Sequence, residues 1–449
     1  METNRFLQLL VLGVFALFSV SPVAAAESNT AVKWSTTLDR PLLVDNGEGQ
    51  KVVLKIEIEG AHVERGDRMP LNLAIVLDRS GSMSGAKLEQ AKQAAAMLVD
   101  QLDRDDVVSL VVYESDVQVL YPAARLGDRR SELRRIIGRI HTGGSTALYG
   151  GVECGGRQLE EFLSSQRINR VMLLSDGIAN VGPSSNREIA GLGSRLAKRG
   201  MSVTTIGLGD DYNETLMTAL AEASDANYYY VADVEALPDV FRQELGELKA
   251  IVAREIEIRV KCPKGVRPLR FLGRPGELKS QEERLAFGTL SSEQTREVYL
   301  ECLVDEGAIG SITEIADVSI AWADSNGKQV TAGTRPIVVG YTEKTELAEA
   351  SVDRGVEAEA VIWSNAIETE KTIALADEGD FEASRSNIAS QKAKLEAVFD
   401  RAPAAQQQIL QKEIDSLDAA EGELKNNMFS KSQRKKLSSE SYQTRNSKR

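Results

Sequence analysis

The stretch that decides the fold reads Leu-Asn-Leu-Ala-Ile-Val-Leu-Asp-Arg-Ser-Gly-Ser-Met over residues 71–83. Its first seven residues are almost continuously apolar, which is typical of a central strand in a parallel sheet with both faces covered. The apolar run stops at Asp78, and hydroxyls follow at Ser80 and Ser82. Alternate residues of an extended chain point to the same side, so these three side chains can converge. Small oxygen ligands of this kind suit a hard divalent cation such as Mg²⁺.

A turn and a helix follow these oxygens. Gly81 and Gly85 let the backbone turn tightly before a helix that we predict to begin near Lys87. Ligands in open α/β sheets bind beyond the carboxyl ends of the strands, which is where this turn falls. The stretch therefore predicts a metal site at one edge of a sheet.

Strand-like and helix-like segments alternate over residues 70–250. The strand candidates are apolar and the segments between them are amphipathic, which predicts a doubly wound, Rossmann-like α/β domain. The predicted strands are Leu71–Leu77, Val107–Tyr113, Val117–Tyr121, Arg170–Leu174, Ser202–Leu208 and Tyr228–Val231. Of these, the short segment at 117–121 fits an antiparallel edge strand.

The apolar period changes to two on either side of this domain. Residues 27–69 and 251–342 carry alternating segments, and those after 251 are separated by Gly and Pro, which predicts an antiparallel β-sandwich. The first of these segments cannot bury its own face, so we expect it to join the later strands, with the α/β domain inserted between them. Cys262 and Cys302 lie in these strands as candidates for a disulfide, whereas Cys154 fits a small buried apolar residue.

The two ends of the chain differ from the rest. Residues 1–26 have a positive Arg5, an apolar run and a small-residue cleavage pattern, which predicts a secretory signal peptide. An uncleaved membrane anchor is the alternative, although the run is short for a span. No later run approaches the ~20 apolar residues of a spanning helix, so we expect an exported protein, either periplasmic or secreted.

The carboxyl-terminal part of the chain has two predicted segments. Residues 343–430 show helical spacing and predict a helical region that follows the β-sandwich. Residues 431–449 hold seven Lys or Arg and one Glu, which predicts a basic disordered tail. A contact between this tail and an anionic surface is the alternative.

Composition excludes some functions. The formal net charge of −13 argues against nucleic-acid binding. With two histidines and no His-Glu-x-x-His motif, the usual kinds of zinc hydrolase lack their ligands. The oligomeric state stays open.

Two further loops carry oxygens to the same predicted edge. In the first, Gly143 and Gly144 allow close backbone approach, and Thr146 presents a hydroxyl just before a predicted helix. In the second, an apolar strand ends in Asp176, and a glycine follows. Taken singly, such an aspartate fits a helix N-cap. Because three loops share one edge, we interpret their oxygens together as a cation site.

These three loops resemble the von Willebrand factor A domain with its metal-ion-dependent adhesion site, over about residues 70–248. The residues that match the metal-binding set of that family are Asp78, Ser80, Ser82, Thr146 and Asp176. The resemblance implies that Mg²⁺, or else Ca²⁺ or Mn²⁺, is bound, with the two serines as direct ligands. Arg79 departs from the family pattern, which often has a small or apolar residue there. The wider layout is similar to exported bacterial proteins related to inter-alpha-trypsin-inhibitor heavy chains and calcium-activated chloride channel-like proteins.

The resemblance and the chemistry of the loops predict an exported adhesion or scaffold module that is not an enzyme. Two carboxylates and three hydroxyls leave Mg²⁺ short of its six ligands, and a Glu or Asp of a protein partner would complete the octahedron. Two alternatives stay open. One is a self-assembling envelope protein; the other is a metal-assisted hydrolase, for which His141 is the sole candidate general base in these loops.

Overall fold

The computed structural model describes residues 31–62, 68–324, 327–333 and 336–447. The predicted signal peptide over 1–26 lies outside the described residues, so export stays a prediction. Within the ranges given above, none of the helices has both the length and the apolar content that crossing a membrane requires.

The described residues form sixteen strands and eleven α-helices. The strands are β1 (Val32–Leu38), β2 (Leu42–Val44), β3 (Gln50–Gly60), β4 (Leu71–Asp78), β5 (Val107–Tyr113), β6 (Val117–Arg125), β7 (Ile168–Ser175), β8 (Ser202–Leu208), β9 (Tyr228–Val231), β10 (Ile251–Lys261), β11 (Val266–Phe271), β12 (Glu282–Ser291), β13 (Thr295–Val304), β14 (Ile312–Ala323), β15 (Gln329–Ala332) and β16 (Pro336–Thr342). The helices are α1 (Ala86–Gln101), α2 (Arg130–Gly138), α3 (Leu148–Glu160), α4 (Asn186–Ala197), α5 (Glu214–Ala223), α6 (Leu237–Lys249), α7 (Thr345–Ala350), α8 (Arg354–Asp377), α9 (Phe381–Phe399), α10 (Ala404–Leu424) and α11 (Lys431–Arg445).

The α/β domain is built on a six-stranded sheet with the order β6-β5-β4-β7-β8-β9. Its strands are parallel except for β6, which runs antiparallel to β5 at the edge. The central strand β4 is buried along its whole length. Its side chains alternate between two cores: Leu73 and Ile75 belong to the core on one face of the sheet, and Ala74 and Val76 belong to the core on the other face. Helices α1, α2 and α6 cover one face and α3, α4 and α5 the other, so the predicted doubly wound α/β fold is confirmed.

Two further sheets share a separate hydrophobic core. One has the order β1-β3-β13-β11, and the other has the order β12-β10-β14-β16-β2 with β15 added beside β14. Because β3 precedes the α/β domain and pairs with β13 after it, the chain leaves this sheet and later returns to it. The second sheet departs from a purely antiparallel arrangement, since β2 runs parallel to β16.

Helices α8 to α11 pack around a core of their own, to which each contributes an apolar residue: Ile362, Ile388, Leu417 and Leu437 in chain order. The prediction of a disordered tail over residues 431–449 is wrong, because α11 occupies 431–445. Its side chains of Lys435 and Tyr442 are buried. Four of its basic residues pair with acidic residues far away in the sequence, which a local charge count does not reveal: Lys431, Arg434, Lys435 and Arg445.

The three cysteines are buried free thiols. Cys262 and Cys302 belong to the same core, where the pKa of Cys262 is lowered by the Cys302 thiol that hydrogen bonds to it. The candidate disulfide is therefore not formed. Cys154 lies in the core between the α/β sheet and α3, as a small buried residue.

Candidate metal centre

Asp78 is the last residue of β4 and is fully buried. Its Oδ1 accepts a hydrogen bond from the backbone N of Ser80 at 2.8 Å, and its Oδ2 accepts one from Ser175 Oγ at 2.7 Å. Burial raises the pKa of Asp78, and the hydrogen bonds from Ser80 and Ser175 oppose that shift, while the charge of Asp176 adds to it. Hydrogen bonds from the Ser80 backbone and the Ser175 side chain thus hold the Asp78 carboxylate in place.

Three more of the predicted side chains meet in front of Asp78. The Oγ atoms of Ser80 and Ser82 lie 3.1 Å apart, on either side of Gly81 in a short 3₁₀ turn. The Oγ of Ser82 donates to Oδ1 of Asp176 at 2.7 Å. Asp176 follows β7, the neighbour of β4, so adjacent strand ends deliver both carboxylates to one edge.

The surroundings of Gly177 indicate that the hydroxyl of Thr146 faces the space beside Ser82. A Cβ added at Gly177 would lie 3.1 Å from Thr146 Oγ1 and 3.4 Å from Ser82 Oγ. Because Gly177 has no side chain, the space between these two hydroxyls stays open, and we call this space the cradle. Thr146 itself is 4% exposed and is tied to the Asp176 loop, because its backbone N donates to Asn180 Oδ1 at 2.8 Å. The structure therefore brings together all five residues that the sequence predicted.

A fourth loop supports the site and was missed by the sequence reasoning. Glu114, just after β5, accepts a hydrogen bond from the backbone N of Gly144 at 2.9 Å, and Ser115 Oγ accepts one from Ser145 N at 3.0 Å. Arg79 pairs with Glu114 at 3.4 Å. The Gly143–Gly144 loop is therefore fixed by the residues that follow β5, the strand next to β4. The sequence signal was the polar pair that comes directly after this apolar strand.

Lys87 was also missed as a site residue. It lies in the first turn of α1, and its Nζ donates to Oδ2 of Asp176 at 2.5 Å. The site thus contains two buried carboxylates and one ammonium group, which leaves one negative charge uncompensated. The available signal for Lys87 was its place in the first turn of the helix that follows the Asp78 loop.

The residues present fit a hard divalent cation that keeps part of its water shell. Hydroxyl and carboxylate oxygens are the ligands that Mg²⁺ and Ca²⁺ prefer, and Mg²⁺ usually retains several waters. Within the described ranges no group of three or more His, Cys, Asp or Glu side chains gathers as a metal cage would require. The donor set is therefore unlike the closed thiolate and imidazole sites of structural zinc.

Comparison with known proteins identifies the family of the α/β domain. Residues 72–243 match the von Willebrand factor type A domain family. The chain is 27% identical over 228 residues to the uncharacterized protein YfbK of Escherichia coli, a match that covers 50% of this chain and 39% of YfbK. It is 27% identical over 160 residues to inter-alpha-trypsin inhibitor heavy chain H3 of Rattus norvegicus, covering 34% of this chain and 18% of the rat protein. These matches span less than half of either relative.

Among solved structures, a von Willebrand factor type A protein from Catenulispora acidiphila superimposes with a TM-score of 0.69 at 17% identity, covering 93% of this chain and 98% of that one. The ArnB paralog VWA2 from Sulfolobus acidocaldarius gives a TM-score of 0.62 at 18% identity, covering 93% of this chain and 99% of that one. At such identities these likenesses show a shared fold. Together with the sequence match, they establish that the α/β part of this chain is a von Willebrand factor type A domain.

Proposed function

We propose that this protein is an exported protein-binding module that works through a divalent cation, Mg²⁺ or else Ca²⁺ or Mn²⁺. The observation that carries the proposal is the convergence of five oxygen-bearing side chains from three loops around the space beside Gly177. The residues that would hold the cation are Asp78, Ser80, Ser82, Thr146 and Asp176.

The chain's own residues have distinct tasks in this proposal. Asp78 anchors the first loop, because both of its oxygens already accept hydrogen bonds from Ser80 and Ser175. The three hydroxyls are neutral, so they would position a cation without cancelling its charge. The bound cation would supply a strong electrostatic attraction for a carboxylate, which a neutral group of a partner would not match.

The rim beside the cation site offers an apolar contact. Ile178, two residues after Asp176, is 59% exposed and so is available to a partner. A partner that places an acidic side chain into the site would cover Ile178 in the same step. We therefore propose a partner surface in which a Glu or Asp is flanked by apolar residues, because burial of Ile178 would then add to the carboxylate contact.

A capture experiment tests this proposal. Wild-type protein and the Ser80→Ala/Ser82→Ala variant are immobilised and exposed to native envelope extract, once with Mg²⁺ and once with EDTA. A matched control, Ser164→Ala/Ser165→Ala, removes two hydroxyls from the turn before β7, at the opposite end of the sheet.

We expect proteins that are retained by the wild type and by the control in Mg²⁺, and that are lost in EDTA and with the site variant. Equal retention in every lane would contradict adhesion through the cation. Retention of the chain itself as the main captured species would instead favour self-assembly in the envelope.

A further inference from the structure

The Lys87 ammonium occupies a place that a divalent cation would also seek. Its Nζ lies 2.5 Å from Oδ2 of Asp176, whose side chain is fully buried, while the Lys87 side chain is 28% exposed. The other oxygen of Asp176 accepts the hydrogen bond from Ser82. Asp176 is thus paired with a partly exposed ammonium group on one oxygen and faces the candidate cation site with the other.

Lys87 lies between Asp176 and the loop that follows β8. Gly209, just after β8, lies beside it: a Cβ added there would come within 3.8 Å of Lys87 Nζ. The carboxylate of Asp211 is two residues further along this loop. Its pKa is lowered first by its hydrogen bond with Lys431 and also by the positive charge of Lys87. A second carboxylate, which pairs with Lys431 at 3.0 Å, is therefore within electrostatic reach of the Lys87 ammonium.

We propose that Lys87 is a built-in competitor of the divalent cation, which holds Asp176 in the metal-free protein and must leave it when the cation binds. This inference rests on the proposed metal-dependent function. Like charges a few ångströms apart repel strongly in a partly buried site. Displacement of the ammonium therefore weakens cation binding, so the site fills only where divalent cations are abundant.

Calorimetry with MgCl₂ and MnCl₂ tests this role on the full chain. Three proteins are compared: the wild type, Lys87→Met, and Lys92→Met as the matched control. Lys92 lies on the same helix and also pairs with a carboxylate, that of Glu89 at 2.8 Å. We expect Lys87→Met to bind Mn²⁺ about tenfold more tightly than the wild type, a difference of about 1.4 kcal/mol, and Lys92→Met to match the wild type.

The outcomes separate this inference from the proposed function. Equal affinity of the wild type and Lys87→Met would overturn the competitor role and leave the metal-dependent function standing. Binding by Lys87→Met alone would support the competitor role and contradict the proposed function. Absence of binding in all three proteins would overturn both.

A second measurement uses the wild type, in case Lys87→Met folds poorly with Asp176 left unpaired. Trace acetylation with acetic anhydride, read by mass spectrometry, reports the accessibility of each lysine. We expect the labelling of Lys87 to rise severalfold on addition of Mn²⁺, while that of Lys92 stays constant. Unchanged labelling of Lys87 at a saturating Mn²⁺ concentration would overturn the proposal.

Discussion

Two clusters of charged residues, one within the α/β domain and one between that domain and the C-terminal helices, differ in their balance of charge. The site cluster consists of Asp78, Asp176 and Lys87 and holds two carboxylates against one ammonium group. The clamp cluster consists of Glu214, Asp377, Arg434 and Lys435 and holds two carboxylates against two cations.

The central ion pair of the clamp cluster is buried. Lys435 Nζ lies 2.6 Å from Glu214 Oε2, and both side chains are 2% exposed. Arg434 pairs with the other oxygen of Glu214 and with Asp377 of α8. Three parts of the chain that are remote in sequence, α5, α8 and α11, are joined by this cluster.

Charge balance distinguishes a binding site from a structural charge cluster. A buried carboxylate must be matched by opposite charge and hydrogen bonds, or it destabilises the fold. The clamp cluster meets this need within the chain. The site cluster lacks one positive charge and is lined with hydroxyls around an open space, which is the arrangement that an external cation completes.

The largest expected effect comes from breaking the clamp cluster. Lys435→Met removes the ammonium group from beside Glu214 and leaves that buried carboxylate with Arg434 alone. We expect a loss of about 3–5 kcal/mol in the free energy of unfolding, as for other broken buried ion pairs. Urea unfolding followed by circular dichroism measures it.

The matched control is Lys436→Met, one residue further along α11 and exposed. Its free energy of unfolding should stay within about 0.5 kcal/mol of the wild type. Equal losses in the two variants would contradict a special role for the clamp cluster.

The second-largest effect is expected when Mg²⁺ binds at the site cluster and stabilises the folded protein. Mg²⁺ at about 100 times its dissociation constant should stabilise the protein by about 2.7 kcal/mol, because only the folded state gathers the ligands. The shift of the melting temperature on addition of MgCl₂ measures this gain. The Ser80→Ala/Ser82→Ala variant should show little of it; an undiminished shift in that variant would place the cation elsewhere.

Filling the cradle gives a smaller effect. In Gly177→Ala the new Cβ would lie 3.1 Å from Thr146 Oγ1 and 3.4 Å from Ser82 Oγ, so it takes the space between two proposed ligands. We expect Mg²⁺ affinity to fall about tenfold, or about 1.4 kcal/mol, by calorimetry. Gly138→Ala is the control, since a Cβ there meets no atom within 4 Å. Equal affinities in the two variants would contradict the proposed cradle.

The smallest effect is a dependence on pH. Because burial raises the pKa of Asp78 above 3.8 in the folded protein, the folded state holds its proton more tightly than the unfolded state. The metal-free protein therefore loses stability as pH rises from about 3.8 through the folded pKa. Mg²⁺ requires the ionised carboxylate, so the Mg²⁺-induced rise in melting temperature should grow through the same window. A rise that is constant from pH 4 to 8 would contradict this link.

The sequence predicted the site cluster better than the clamp cluster for a physical reason. Asp78, Ser80 and Ser82 are close in sequence, and the rule that parallel strands end at one edge adds Asp176 and Thr146. Lys435 and Glu214 are more than two hundred residues apart and no short motif joins them. A run of basic residues therefore predicted disorder in place of α11. The parallel pairing of β2 with β16 depends on tertiary contacts in the same way.

The position of the cation itself tests the proposed metal site most sharply. Crystals grown with MnCl₂ and measured by anomalous diffraction would show where Mn²⁺ binds. We expect one strong anomalous peak about 2.1 Å from the Oγ atoms of Ser80 and Ser82, beside Gly177, with Lys87 Nζ moved away from Asp176. Absence of a peak between these hydroxyls at saturating Mn²⁺ would contradict it.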